Sequence, residues 1–155
     1  LWLVEQPSDA WAVAQLSQLA NNQGDDTKAI KILEAYPYIN QQPVFLNNLA
    51  NLYQEIDINK AITYAKLAHK LSGKLAAIND TLGWLLVKNN QKQQGLAYIR
   101  EAIARDANNA NYHYHLAYTL ASLERVEFAK IALVTAQQLA PEHPLFRIVT
   151  NMLNK

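Results

Sequence analysis

Cysteine is absent from the 155-residue chain, which excludes disulfide scaffolds, thiolate metal sites and cysteine nucleophiles. That absence fits oxidising and reducing compartments alike. Charge is scarce as well: 17% of the residues are charged, with 14 Lys and Arg against 13 Asp and Glu. A formal net charge of +1 offers no basic stripe, so neither nucleic acid nor an anionic membrane surface is an expected partner. The apolar runs fall far below the roughly 20 residues that a bilayer span needs, and no direct membrane insertion by this segment is expected. The chain opens on Leu1 rather than Met and reads as a piece of a longer protein. Its four glycines, Gly24, Gly73, Gly83 and Gly95, never come closer than ten residues, which excludes a glycine-rich nucleotide-binding loop.

What the chain does contain is helix-forming residues. Ala contributes 23 residues and Leu 22, against 4 Gly and 5 Pro, and both Ala and Leu cost little in a helix. An all-α chain is expected. Asn and Gln add 27 residues, so the solvated faces are polar without being charged.

The pattern repeats. Ala61, Gly95 and Ala129 follow one another at intervals of 34 residues, and so do Ala68, Ala102 and Ala136. Leu82-Gly83 and Leu116-Ala117 share that interval, whereas Leu49-Ala50 precedes Leu82-Gly83 by 33, which implies one residue deleted in the turn around Ile56-Asp57. A more decayed unit begins near Ala10, with Leu16, Gly24-Asp25 and Ala29 in the corresponding places. Small residues at a fixed period let two helices approach closely, while large ones fill the holes beside them.

These residues resemble the tetratricopeptide repeat (TPR), a 34-residue helix-turn-helix with Trp, Leu-Gly, Tyr, Ala, Phe, Ala and Pro at fixed places. The strongest stretches are Asp80-Thr81-Leu82-Gly83-Trp84 and Tyr114-His115-Leu116-Ala117-Tyr118 through Ala136 to Pro141. Ala107 replaces the closing Pro of the third unit, Gly95 replaces the usual Ala, and His113 and Asn79 stand where an aromatic is common. Those departures are expected to weaken individual contacts. The resemblance implies an α-solenoid in a single domain, a right-handed superhelix of four units at about 8–41, 42–75, 76–109 and 110–143, with a capping helix over 144–155.

Helix boundaries follow from punctuation. Ser8 or Asp9 caps the first helix, which ends before Gly24-Asp25; the second stops at Pro37, and Pro43 opens the third. Further helices are expected over 59–71, 76–89, 92–106, 110–123 and 126–139. A last one opens at Pro144 with Leu145, Ile148, Val149 and Met152 as an apolar stripe. Apolar Leu1-Trp2-Leu3-Val4 is too short to bury itself, so Trp2 is expected on Trp11, on the first helix pair or on a neighbouring molecule.

In the TPR family the first helix of each unit lines a concave groove. Carried over, the inward positions are Trp11, Ala14, Gln18, Asn21 and Asn22, then Val44, Asn47, Asn51, Gln54 and Glu55. The third unit supplies Ala77, Asp80, Trp84, Val87 and Lys88, and the fourth Asn111, Tyr114, Tyr118, Ala121 and Ser122. From these, Asn47, Asn51, Gln54, Asp80, Trp84, Lys88, Tyr114 and Tyr118 are the candidate peptide-binding residues, because amides both donate and accept and aromatics give large contact area at low entropic cost. Solvated helix face is the other reading of Asn47 and Asn51, and packing between repeats that of the aromatics. A clamp for acidic peptide tails, as some TPR proteins carry, is incomplete: Asn48 and Asn51 match its amides, but Ala14, Ala77 and Thr81 occupy its basic positions.

Neither catalysis, a metal nor a cofactor is expected. His113 and His115 project about 200° apart on one helix and cannot share an ion. Asp25-Asp26 reads as a helix cap. A narrower resemblance, carried by residues 43–53, 79–84, Gln94-Gly95-Leu96 and Tyr114-His115-Leu116-Ala117, is to the C-terminal end of the TPR lipoproteins that accompany the exosortase (PEP-CTERM) protein-sorting and exopolysaccharide system of Gram-negative bacteria. It implies a cell-envelope location, periplasmic or at the outer membrane; without it the expectation is cytoplasmic. Two function classes stand: a non-catalytic scaffold that takes a peptide or partner helix in the groove, and a structural or oligomerising segment that self-associates through its terminal helices.

Overall fold

The computed structural model describes residues 9–142 and 146–154. Among them every regular element is helical: α1 (Ala10–Asn22), α2 (Asp26–Glu34), a 3₁₀ turn (Ile39–Gln41), α3 (Pro43–Tyr53), α4 (Ile58–Ser72), α5 (Ala76–Lys88), α6 (Lys92–Arg105), α7 (Ala110–Ser122), α8 (Val126–Leu139) and α9 (Phe146–Leu153). The chain divides into two compact units, one ending at Ser72 and one starting at Gly73. Within them α1 packs on α2, α3 on α4, α5 on α6 and α7 on α8, the helix pairs that the 34-residue period requires. The expected placement of Trp2, and the roles of Ser8, Pro144 and Leu145, lie outside the described residues.

The helix ends follow local chemistry. Asp9 Oδ1 accepts from the Ala12 amide at 3.0 Å and caps α1, Asp25 Oδ1 caps α2 through Lys28 at 2.9 Å, and Pro43 occupies the first turn of α3. Three of the four turns inside helix pairs are the same motif. In each, one amide reaches back five residues, Asp25 to Ala20, Gln91 to Leu86 and Arg125 to Leu120, while the preceding amide reaches back three. That closure puts the intervening residue in the left-handed region: Gly24 at φ 76°, Asn90 at 60° and Glu124 at 60°. Between α3 and α4 the Asp57 amide instead bonds the Tyr53 carbonyl, four residues back, and no residue there has positive φ. The deletion read from the 33-residue interval removes that left-handed residue. Glycine meets the same geometry without a Cβ penalty, so Glu124→Gly should stabilise by about 0.5–1 kcal/mol in a urea melt; destabilisation would contradict the strain.

Each second helix presents a small residue four places after its N-cap. Ala29, Ala61 and Ala129 are fully buried, and Gly95 holds that position in α6. Gly83 and Gly95 face each other across α5 and α6: a Cβ on Gly95 would lie 2.5 Å from the Gly83 carbonyl oxygen and 2.6 Å from Val87 Cγ2. Gly95 therefore tightens this helix pair, and the expectation that it weakens packing is corrected.

The C-terminal unit closes on α9. Phe146 and Val149 are buried and Leu153 packs against the same cluster, which includes Leu120, Leu133 and Ala136. The expected stripe is shifted: Val149 belongs to it, whereas Ile148 is 45% exposed. On a short helix with apolar residues on several faces, the neighbours α7 and α8 decide which ones are covered.

In the N-terminal unit, Glu34 ties α2, α3 and α4 together. Its Oε1 accepts from Tyr53 Oη, Tyr64 Oη and Lys60 Nζ, each at 2.9 Å. Lys60 Nζ also donates to Tyr53 Oη at 2.6 Å and lies 4.1 Å from the centre of that ring. Burial pulls the Glu34 carboxyl upward, but the donors Lys60, Tyr53 and Tyr64 and the charge of Lys60 outweigh it and hold it below its ordinary 4.5. Burial first, then Glu34, pushes the Tyr64 hydroxyl up to about 12. A depressed folded carboxyl stabilises the protein above its unfolded value and loses that contribution as pH falls through the folded one. The stability advantage of wild type over Glu34→Gln should thus be present at neutral pH and vanish as pH drops below 4.5. At the other end a raised Tyr64 contributes below pH 10 and loses its contribution as pH rises toward 12, an alkaline limb that Tyr64→Phe should remove. Urea melts across pH check both, and a flat difference would contradict them.

Candidate functional site

Two surfaces collect the candidate residues, one in each compact unit. In the N-terminal unit, α1, α2 and α3 enclose a cleft of about 370 Å³ lined by Ser17, Gln18, Asn21, Asp26, Leu33, Asn48, Asn51, Leu52 and Gln54. At its base Leu33 is buried and Leu52 is half-buried. Its walls are amides, and Asp26 is the single charged residue of the lining. Part of that wall is fixed in place: Asn21 Nδ2 donates to Asp26 Oδ1 at 3.0 Å, and Gln18 Nε2 to Asn22 Oδ1 at 2.8 Å. Asn48, Asn51 and Gln54 face the cleft and are at most half-buried, so their donors and acceptors stay open to a guest.

Of the candidates on α3, Asn51 and the following Gln54 line this cleft, but Asn47 does not. Asn47 is 9% exposed, and its buried Oδ1 has no hydrogen-bond partner among the described residues. The helical face turned to the cleft carries Asn48, Asn51 and Leu52, spaced i, i+3 and i+4, rather than Asn47 and Asn51. Ser17 joins the lining from outside the expected groove positions.

In the C-terminal unit, α5 and α7 bring Asp80, Trp84, Tyr114 and Tyr118 together around a residue that the groove positions missed. His115 Nδ1 lies 2.9 Å from both carboxylate oxygens of Asp80. A carboxylate oxygen accepts, so Nδ1–H of His115 is the donor in this pair. The Trp84 indole stacks on this imidazole, 4.2 Å between centroids and 12° between planes, and meets Tyr118 edge-on at 5.1 Å. Asp80 and His115 are 35 residues apart, one repeat plus one, so successive first helices carry them to the same side; that offset was the available signal.

Tyr114 is 2% exposed and belongs to the core of this unit, supporting Trp84 from 6.1 Å. Burial, with the charge of Tyr118 second, pushes its hydroxyl up to about 12. Burial and then the charges of Asp80 and Asp106 likewise raise Tyr112. Trp84 and Tyr118 are half-buried, and Lys88 is exposed at the end of α5. His113 points elsewhere, its Nε2 2.8 Å from the Ala107 carbonyl. Among the described residues no three His, Asp or Glu side chains are grouped so as to hold a metal ion, and no helix is long and apolar enough to cross a membrane.

Comparison with known proteins agrees with this architecture. No family model matches the chain. Tetratricopeptide repeat protein 16 of Mus musculus is 27% identical over 118 residues, 75% of this chain, and the match spans 15% of the mouse protein's length. TTC0263, a thermophilic TPR protein of Thermus thermophilus, superimposes with a TM-score of 0.79 at 17% identity, covering 99% of this chain and 86% of that one. YrrB, a TPR protein with an unusual peptide-binding site, gives a TM-score of 0.74 at 18% identity over 96% of this chain and 78% of its own. The fold is thus the all-α helical repeat of TPR proteins.

Proposed function

We propose that the chain is a non-catalytic protein-binding scaffold whose N-terminal unit takes an extended peptide segment in the amide-lined cleft. The observation that carries this reading is the cleft itself, whose lining sets the amides of Asn48, Asn51 and Gln54 beside the half-buried Leu52. Open amides suit an extended peptide, whose backbone needs both donors and acceptors. Trp84 and Tyr118, braced by the Asp80–His115 pair, form a second aromatic contact surface in the C-terminal unit. YrrB, which shares the fold, is a peptide-binding protein by description, and this supports the same class of role here.

A random-peptide display library selected on the chain tests the proposal. Enriched peptides should compete with one another and lose most of their signal on an Asn48→Ala/Gln54→Ala variant that melts like wild type. Enrichment no greater than on an unrelated helical protein, or equal retention by the variant, would leave the structural alternative. The narrower reading, a role in cell-envelope protein sorting or exopolysaccharide export, rests on the resemblance of residues 43–53 and 79–84 to the exosortase-associated lipoproteins. Fractionation of cells that express the protein should then recover it with the envelope; recovery in the cytosol would contradict that reading.

A further inference from the structure

The cluster around Glu34 and the amide-lined cleft share stretches of backbone. Leu33, at the base of the cleft, is followed directly by Glu34, and Tyr53 stands between Leu52 and Gln54, which both belong to the lining. None of Glu34, Tyr53, Lys60 and Tyr64 lines the cleft itself. α2 meets α3 over a narrow boundary, narrower than that between α6 and α7. Near the N-terminus of α3, Tyr36 meets Phe45 edge-on at 5.3 Å, and both rings are buried. At the C-terminal end of α3, Tyr53 Oη donates to Glu34 Oε1 at 2.9 Å, with the Glu34 and Lys60 side chains 35% and 41% exposed. The first tie is dry and the second reaches water. From Phe45 to Tyr53 the helix rises about 12 Å, and this stretch carries Asn48, Asn51 and Leu52 of the lining.

We infer that Glu34, Tyr53 and Tyr64 are positioning residues for the cleft: they hold the C-terminal end of α3 against α2 and so set the width at which Asn51 and Gln54 meet a peptide. The inference rests on the peptide reading of the cleft for its consequence but not for its geometry. An exposed ion pair by itself contributes little to stability. Position is another matter, because three donors converge on one oxygen, Tyr53 from α3 and Lys60 and Tyr64 from α4. The Tyr53 and Tyr64 rings also stack, 5.7 Å between centroids and 24° between planes. α3 and α4 therefore move as a pair, and Glu34 is where that pair is fixed to α2. Without Glu34, α3 turns about the dry contact of Tyr36 with Phe45. Displacement grows with distance from that contact, so Gln54 moves most and Asn48 least.

The absence of cysteine allows clean spin labelling through Gln23→Cys and Ile56→Cys, both exposed and each two residues beyond a lining residue, Asn21 or Gln54. In the free chain the label pair should give a narrow distance distribution. Glu34→Ala and Tyr53→Phe should each broaden it and shift its mean by about 1–2 Å, the size of helix shifts at interfaces. Glu34→Gln, whose amide oxygen still accepts from both hydroxyls, should stay nearer to wild type. A display-selected peptide is then titrated at a temperature where every variant is fully folded by circular dichroism. Glu34→Ala should raise its Kd by about five- to 150-fold, the span of coupled sites. In that background the loss caused by Gln54→Ala should shrink, while the loss caused by Asn48→Ala persists. Unchanged distances in Glu34→Ala, or Glu34→Gln displaced as far as Glu34→Ala, would overturn the inference. So would a Glu34→Ala chain that holds the peptide as tightly as wild type. If selection yields no peptide, the peptide reading fails, and the label distances alone decide whether Glu34 sets the cleft.

Discussion

Gly95→Ala should destabilise the protein by about 1–3 kcal/mol, even though alanine is the better helix residue by about 1 kcal/mol. The two effects oppose each other, and geometry decides between them. A methyl on Gly95 would meet the Gly83 carbonyl oxygen at 2.5 Å, the Val87 amide nitrogen at 3.1 Å and Val87 Cγ2 at 2.6 Å. Two of these three are backbone atoms of a packed helix and cannot swing away as a long side chain could. Gly83→Ala faces the same obstacle from the other side, with the Gly95 carbonyl oxygen and Ile99 Cγ1 both at 2.8 Å and the Ile99 nitrogen at 3.0 Å. For a chain of 155 residues, at about 2–4 °C per kcal/mol, the melting temperature should fall by roughly 2–12 °C, read by circular dichroism. A melting temperature that stays level or rises would show that α5 and α6 can part without loss.

Ala102→Leu and Ala136→Leu should each destabilise by about 1–3 kcal/mol through overpacking. Both side chains are fully buried, as is Ala68 at the same repeat position in α4. Three added heavy atoms at such a place must displace neighbours held at crystal-like density. Ala136 shares its core cluster with Leu133 of its own helix and with Phe146 and Val149 of α9, so hydrogen exchange in α9 should rise along with the loss of stability. The exposed Thr63→Leu supplies the contrast and should be within about 0.5 kcal/mol of wild type. Equal melts for the buried and exposed leucines would contradict the repeat register.

That register is legible because it rests on residues whose size is the message. Ala61, Gly95 and Ala129, or Ala68, Ala102 and Ala136, recur at the 34-residue interval of a helix-turn-helix repeat, where paired helices must approach closely. The 33-residue step before Leu82-Gly83 even locates the turn that lacks a left-handed residue. Less legible is anything settled by neighbours. Asn47 and Asn48 are adjacent and chemically identical, yet Asn47 is buried with an unpartnered oxygen and Asn48 lines the cleft; one step of 100° around the helix separates the two fates. Spacing along α7 excludes His115 from a metal site shared with His113, but the hydrogen bond that gives it a role depends on Asp80 in the preceding repeat. Phe128, Ile131 and Val134 look like core in the sequence, because apolar spacing cannot tell a covered face from a bare one.

The central claim, that the amide-lined cleft binds a peptide backbone, is tested most directly by calorimetric titration of a display-selected peptide into wild type and Asn51→Ala at low and moderate salt. Removing an amide that pairs with the peptide leaves a polar group unsatisfied and should weaken binding by about 1–3 kcal/mol, on the order of five- to 150-fold in Kd. Asp26 is the only charge in the lining, and exposed charges are screened within about 8–10 Å at ordinary salt, so wild-type affinity should change little between the two conditions. An Asn51→Ala variant that binds as tightly as wild type, or an affinity that collapses with salt, would contradict the account.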